Sequence, residues 1–149
     1  VADARAAYGQ GLYLKAQGLF EQAAANGTLD SSANELLTDA RKQTAALQDE
    51  LNFMQQGEYE VALHNLWRLH EAQRTNRDVT TLMVRAYYNL GVKDLQREAP
   101  ADALKNFKEA LGLDASDAEV QRLQRFAEAY ATRTQDLQYR IFVKYLSNR

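Results

Sequence analysis

Apolar side chains return every three or four residues along most of this chain, the spacing of one face of an α-helix. Short polar or glycine-bearing gaps separate the stripes and mark helix ends. Residues 2–25 carry Tyr8, Leu12, Leu14 and Leu19 and read as mostly helix. Gly9, Gly11 and Gly18 interrupt that helix at a cost of roughly 1 kcal/mol each, so they need a reason: close packing or a turn near Gly18. Asn26-Gly27-Thr28 is a turn signal. Leu37, Ala40, Thr44, Leu47, Leu51 and Met54 then form one continuous stripe that Gly57 ends. Tyr59, Ala62, Leu63, Leu66 and Leu69 predict a helix that stops near Arg74–Asn76. Val79, Leu82, Met83, Ala86, Tyr87 and Leu90 predict the next one.

Pro100 suits the first turn of the following helix, where its missing N–H costs nothing, and that helix runs to about Gly112. Val120, Leu123, Phe126, Ala127, Tyr130, Thr134, Leu137, Ile141 and Tyr145 recur to the end, as one long helix or as two broken near Thr134–Asp136. Ser32 with Glu35, and Ser116 with Glu119, have the spacing of capping boxes. Nothing in this pattern has the period of a strand, and the expected class is all-α.

Composition supports that class. Apolar residues make up 46% of 149, enough for a real core, and there is one Pro. Net charge is −2, which supplies no general attraction to nucleic acid or anionic membrane. Residues 1–60 hold 4 basic and 9 acidic side chains, and residues 61–149 hold 14 and 11, so the ends differ in sign. Arg68, Arg74, Arg77 and Arg85 are interspersed with Glu71 and Asp78 and make a poor nucleic-acid surface. No cysteine is present, which removes disulfides and thiolate chemistry. No apolar run is long enough for an integral membrane segment. A start at Val1 and the lack of cysteine fit a processed bacterial chain of the envelope or periplasm, and fit an excised cytoplasmic domain equally well.

The stretch from Tyr87 to Ala110 sets Tyr87, Leu90 and Gly91 against Ala103, Phe107 and Ala110. Gly18-Leu19-Phe20-Glu21-Gln22-Ala23, Gly57-Glu58-Tyr59-Glu60-Val61-Ala62 and Glu98-Ala99-Pro100-Ala101-Asp102-Ala103 align at spacings of 39 and 41 residues. The first two resemble the Gly-X-Tyr/Phe-X-X-Ala turn between helix A and helix B of the tetratricopeptide (TPR) repeat family, whose period is about 34 residues. Insertions at 26–32 and 74–78 account for the longer spacing. Leu123, Phe126, Ala127 and Tyr130 resemble a further helix A. The second repeat departs at Ala46, Asp49 and Glu50 in helix-A core positions, and the third at Glu98 and Pro100. The resemblance implies a TPR-like α-solenoid of antiparallel helix pairs in a single domain over 1–149. Its repeats would be 2–31, 32–76 and 77–115, with a C-terminal helical segment at 116–149.

The resemblance also implies a function. TPR proteins hold a peptide or helix of a partner in a concave groove lined by helix A. Carried over residue by residue, the groove positions are Tyr8, Leu12, Leu47, Leu51, Met54, Tyr88, Asn89, Val92 and Leu95. Asn89 matches the asparagine with which relatives grip a ligand backbone, since an amide side chain donates and accepts at once. The expected partner is a protein or peptide. The alternative for Leu47, Leu51 and Met54 is ordinary core.

A second surface is expected at Tyr139, Ile141, Phe142, Tyr145 and Leu146, where apolar and aromatic residues cover more than one helical face. Such a helix either caps the solenoid or self-associates as a homo-oligomer. Trp67, beside Leu63, Leu66 and His70, reads as packing. Catalysis is not expected. His64 and His70 are six apart, which is not metal-ligand spacing on a helix, and no nucleotide fingerprint or metal motif is present. No cofactor and no metal is expected.

Overall fold

The computed structural model describes residues 1–149 and is all-helical. Its elements are α1 (Ala2–Gly9), α2 (Tyr13–Ala25), α3 (Ser31–Ala45), α4 (Gln48–Gln55), α5 (Tyr59–Ala72), α6 (Arg77–Gln96), α7 (Pro100–Leu113), α8 (Ala118–Ala131) and α9 (Leu137–Lys144). No helix is long and apolar enough to cross a membrane. The chain forms two compact units, Val1–Thr81 and Leu82–Arg149, and the boundary falls inside α6.

One turn geometry recurs through the chain. After α1 the Gly11 N–H donates to the Tyr8 carbonyl and the Leu12 N–H to that of Ala7. The same two bonds close α2 at Gly27 and Thr28, α4 at Gly57 and Glu58, and α6 at Glu98 and Ala99. This is the Schellman arrangement, which satisfies orphan carbonyls and needs a left-handed residue at its centre. Gly11, Gly27 and Gly57 supply it at φ of +75°, +69° and +76°. Glu98 adopts it at φ +64° with a side chain.

In the first unit, α1, α2 and α3 enclose Ala4, Ala7, Ala16, Phe20, Ala33 and Leu37, with Tyr8, Leu12, Leu19, Leu29 and Leu36 packed around them. The alanines let the helix backbones approach while Phe20 fills the space between them. The turn at Gly11 is pinned from elsewhere in the unit. Its carbonyl accepts the Arg77 N–H at 2.9 Å, and a Cβ on Gly11 would lie 1.9 Å from the Thr75 carbonyl oxygen. Next to it, the Asp78 carboxylate accepts the Leu14 N–H at 2.9 Å and so caps α2. Buried Asn76 caps α6 by accepting the Asp78 and Val79 amides. The pair α4 and α5 packs through the Gly57 turn.

In the second unit one core joins α6, α7, α8 and α9. It contains Tyr88, Val92, Leu95, Ala103, Phe107, Val120, Leu123, Ala127, Tyr130, Tyr139 and Val143. Gly91 faces the fully buried Phe107 ring. The small residue expected at a close helix crossing therefore sits at one.

Several sequence expectations are corrected. The first turn lies at Gly11, and Gly18 is inside α2. Its motif is Gly11-Leu12-Tyr13-Leu14-Lys15-Ala16, which matches Gly57-Glu58-Tyr59 through Ala62 better than the Gly18 segment does. The stripe from Leu37 to Met54 is two helices. At the break the Leu47 N–H donates to Thr44, three residues back, and the Thr44 hydroxyl donates to the Arg41 carbonyl. The apolar period survives because Leu47 stays buried through the turn. The helix caps are Asp30, which accepts the Ala33 N–H at 2.7 Å, and Asp117, which accepts that of Val120 at 3.1 Å. Ser32 and Ser116 instead donate their hydroxyls to Asp30 and Asp114. The C-terminal segment, left open between one helix and two broken near Thr134–Asp136, is two helices, and Asp136 caps the second through the Tyr139 N–H.

Candidate functional site

The polar face of α6 in the second unit holds a stretch of main chain. Arg85, Asn89 and Gln96 lie four and then seven residues apart along that helix, so they share one side of it. Residues 143–149 run beside them. Gln96 Nε2 donates to the Leu146 carbonyl at 3.2 Å and to that of Val143 at 3.5 Å. Asn89 is only 1% exposed and bonds both main-chain groups of one residue. Its Oδ1 accepts the Arg149 N–H at 2.8 Å, and its Nδ2 donates to the Arg149 main-chain oxygen at 3.3 Å. Arg85 Nε donates to the same oxygen at 2.6 Å.

The Arg149 side chain is held as closely as its backbone. Its two terminal nitrogens donate to the two oxygens of Asp117, at 2.7 and 2.9 Å. This is the two-pronged geometry in which a guanidinium matches a carboxylate. The guanidinium carbon lies 4.3 Å from the centre of the Tyr88 ring, a cation over a π face. The Tyr88 hydroxyl in turn donates to Glu119 at 3.4 Å, and Glu119 pairs with Arg122 at 2.6 Å. The Arg149 side chain is 34% exposed and that of Asp117 16%, so the pair is screened only in part.

The electrostatics follow from these contacts. Donation from Arg149 holds the Asp117 carboxyl below the usual carboxylate range, with the Val120 amide acting in the same direction against burial. The Arg149 guanidinium is pushed up in return, chiefly by Asp117. Glu119 is lowered, first by the bond from Arg122. Tyr88 is raised, first by burial and then by the negative charge of Glu119.

The groove positions taken from the resemblance fall into two kinds. Tyr88 and Asn89 stand in the cradle just described. Val92 and Leu95 are fully buried in the core of the same unit. In the first unit, Leu47 and Met54 are buried and Leu51 is half-buried. Tyr8 is half-buried, donates its hydroxyl to Asp39 and meets the Tyr13 ring edge-on at 5.3 Å, while Leu12 packs on the α1–α3 core.

The aromatic C-terminal surface also divides. Tyr139 is buried and donates its hydroxyl to the Leu95 carbonyl at 2.6 Å, and burial pushes its pKa up to about 12. Phe142 stacks on Phe126 with ring centres 3.9 Å apart, under the Arg122 guanidinium. Leu146 is half-buried. These three face inward and cap the second unit. Ile141 and Tyr145, with Leu137, face out, at 52%, 77% and 68% exposure.

Sequence reasoning missed Arg85, Gln96, Asp117 and Arg149. Asp117 could have been found as the better helix cap next to Ser116. Arg149 carries no local signal, because its partners are supplied by helices far away in the chain. Compared with protein-family models, curated proteins and solved structures, the chain gives no match.

Proposed function

We propose that this chain is a non-catalytic interaction scaffold of TPR-like helix pairs that binds a peptide or helix of a partner protein along α6. The observation that carries the reading is the buried Asn89 amide, which satisfies the N–H and the oxygen of one main-chain residue together. That recognition is independent of side-chain identity, and it suits an extended peptide. The repeated turn geometry at Gly11, Gly57 and Glu98 supports the helix-pair architecture. Selection of a displayed peptide library against the full chain tests it. Peptides should be enriched, and Asn89→Ala should weaken their binding while the melting temperature stays within about 4 °C, the shift of roughly 1 kcal/mol. Binding that ignores Asn89, or no enrichment, would count against the groove.

Self-association through α9 is the second reading. Leu137 and Ile141 on α9 and Tyr145 just past its end are large apolar residues presented to solvent. Light scattering across a range of concentrations tests it: mass should rise with concentration and fall back in Ile141→Ser/Tyr145→Ser. A constant mass of 16.9 kDa sinks it.

A further inference from the structure

We propose that the cradle of Tyr88, Asn89 and Asp117 is an arginine-selective peptide site, occupied in cis by residues 147–149 and taken by an arginine-bearing segment of a partner when it displaces them. The inference rests on the peptide-binding reading and adds to it the ligand's side chain and a built-in competitor.

The selectivity follows from geometry. Asn89 and Arg85 contact only main chain, so they do not choose among residues. Choice comes from what lies beyond the backbone. A planar guanidinium can place two nitrogens on the Asp117 carboxylate while its carbon lies over the Tyr88 ring, as Arg149 does. A lysine ammonium is a point charge and cannot make both contacts at once. Glu119 bonds the far end of the tyrosine and is itself paired with Arg122, so the uncompensated acid facing the guanidinium is Asp117 alone.

The occupant is suited to leave. Residues 145–149 follow α9 without regular structure, and Ser147, Asn148 and Arg149 are exposed as whole residues. Its tether is short, so its effective concentration is on the order of millimolar. A segment with an intrinsic Kd of about 100 μM would then hold its own site roughly ten to one, and a partner would see its affinity reduced by about that factor.

The test is fluorescence anisotropy with the full chain carrying Arg149→Ala. The probe is a labelled peptide copying residues 145–149, with versions in which its arginine is replaced by lysine or alanine. The arginine peptide should bind the variant about tenfold more tightly than it binds the unsubstituted chain. The lysine and alanine peptides should bind at least about tenfold more weakly. Asp117→Asn, added to Arg149→Ala, should erase that preference while keeping the helix cap, because asparagine caps as well as aspartate. Equal binding of arginine and alanine peptides, still lost in Asn89→Ala, overturns the selectivity and leaves the groove standing. Equal affinity of variant and unsubstituted chain overturns the competition. Failure of every peptide to bind a variant that melts normally overturns the inference outright, and the library selection then decides the groove separately.

Discussion

Gly91 and Phe107 are in contact across the crossing of α6 and α7, so close that a Cβ on Gly91 would stand 2.4 Å from Cε1 of the ring. The ring is fully buried, and in a close-packed interior it can swing aside only by displacing its neighbours. Gly91→Ala should therefore destabilise the protein by about 1–3 kcal/mol, although alanine is the better helix former. Urea denaturation followed by circular dichroism measures this. Adding Phe107→Leu should recover part of the loss, because the pair is coupled through one volume. Simple additivity would show that the contact is softer than it looks.

Glu98 holds a left-handed backbone that the equivalent turns give to glycine. A side chain in that region costs roughly 1–2 kcal/mol, partly offset by the greater unfolded-state freedom of glycine. Glu98→Gly is expected to stabilise by about 0.5–1 kcal/mol, read as a higher urea midpoint at an unchanged slope. The Gln135 side chain bonds the Glu98 carbonyl, which the substitution keeps. A lower midpoint would mean that the carboxylate contributes more than the strain costs.

Attachment of Arg149 should depend on pH through Asp117. Its folded pKa is depressed, chiefly by Arg149, so the stabilisation is complete above the ordinary carboxylate value of about 3.9 and is lost as pH falls through the lower folded value. The amide resonance of Arg149 should move toward its free-peptide position only below about pH 4, and Asp117→Asn should remove that step. A shift centred near neutrality would point to another group. Asp78 acts in the opposite sense. Burial raises it despite the amides of Leu14 and Tyr13, so acidification through its raised range favours the folded first unit.

The helices were legible because their apolar period is a local property, and so was the Gly91 crossing, where a lone glycine interrupts a strong helix. Turns were less legible where two glycines competed. Gly18 and Gly11 both precede an aromatic and an alanine at the right spacing, and only the distant Thr75 carbonyl makes Gly11 the one that must lack a side chain. The break at Leu47 left no trace because the buried face continues through it. At α6 the sequence pointed to Asn89 but could not say what it holds. Arg149 lies 60 residues away, and no local pattern joins the two.

The Gly11 turn has a last consequence. In a linear stack of repeats each unit touches only its neighbours, so the ends can open one helix pair at a time. Here the bonds from Arg77 to Gly11 and from Leu14 to Asp78, the latter spanning 64 residues, fasten the beginning of the first unit to its end. α3, α4 and α5 lie inside a closed loop. Opening of α1 and α2 breaks both bonds to the start of α6, so this unit should lose its structure as one cooperative event, with the amides of Leu14 and Arg77 exchanging together. The two bonds that close the ring join residues 66 and 64 apart in sequence and should form late in folding.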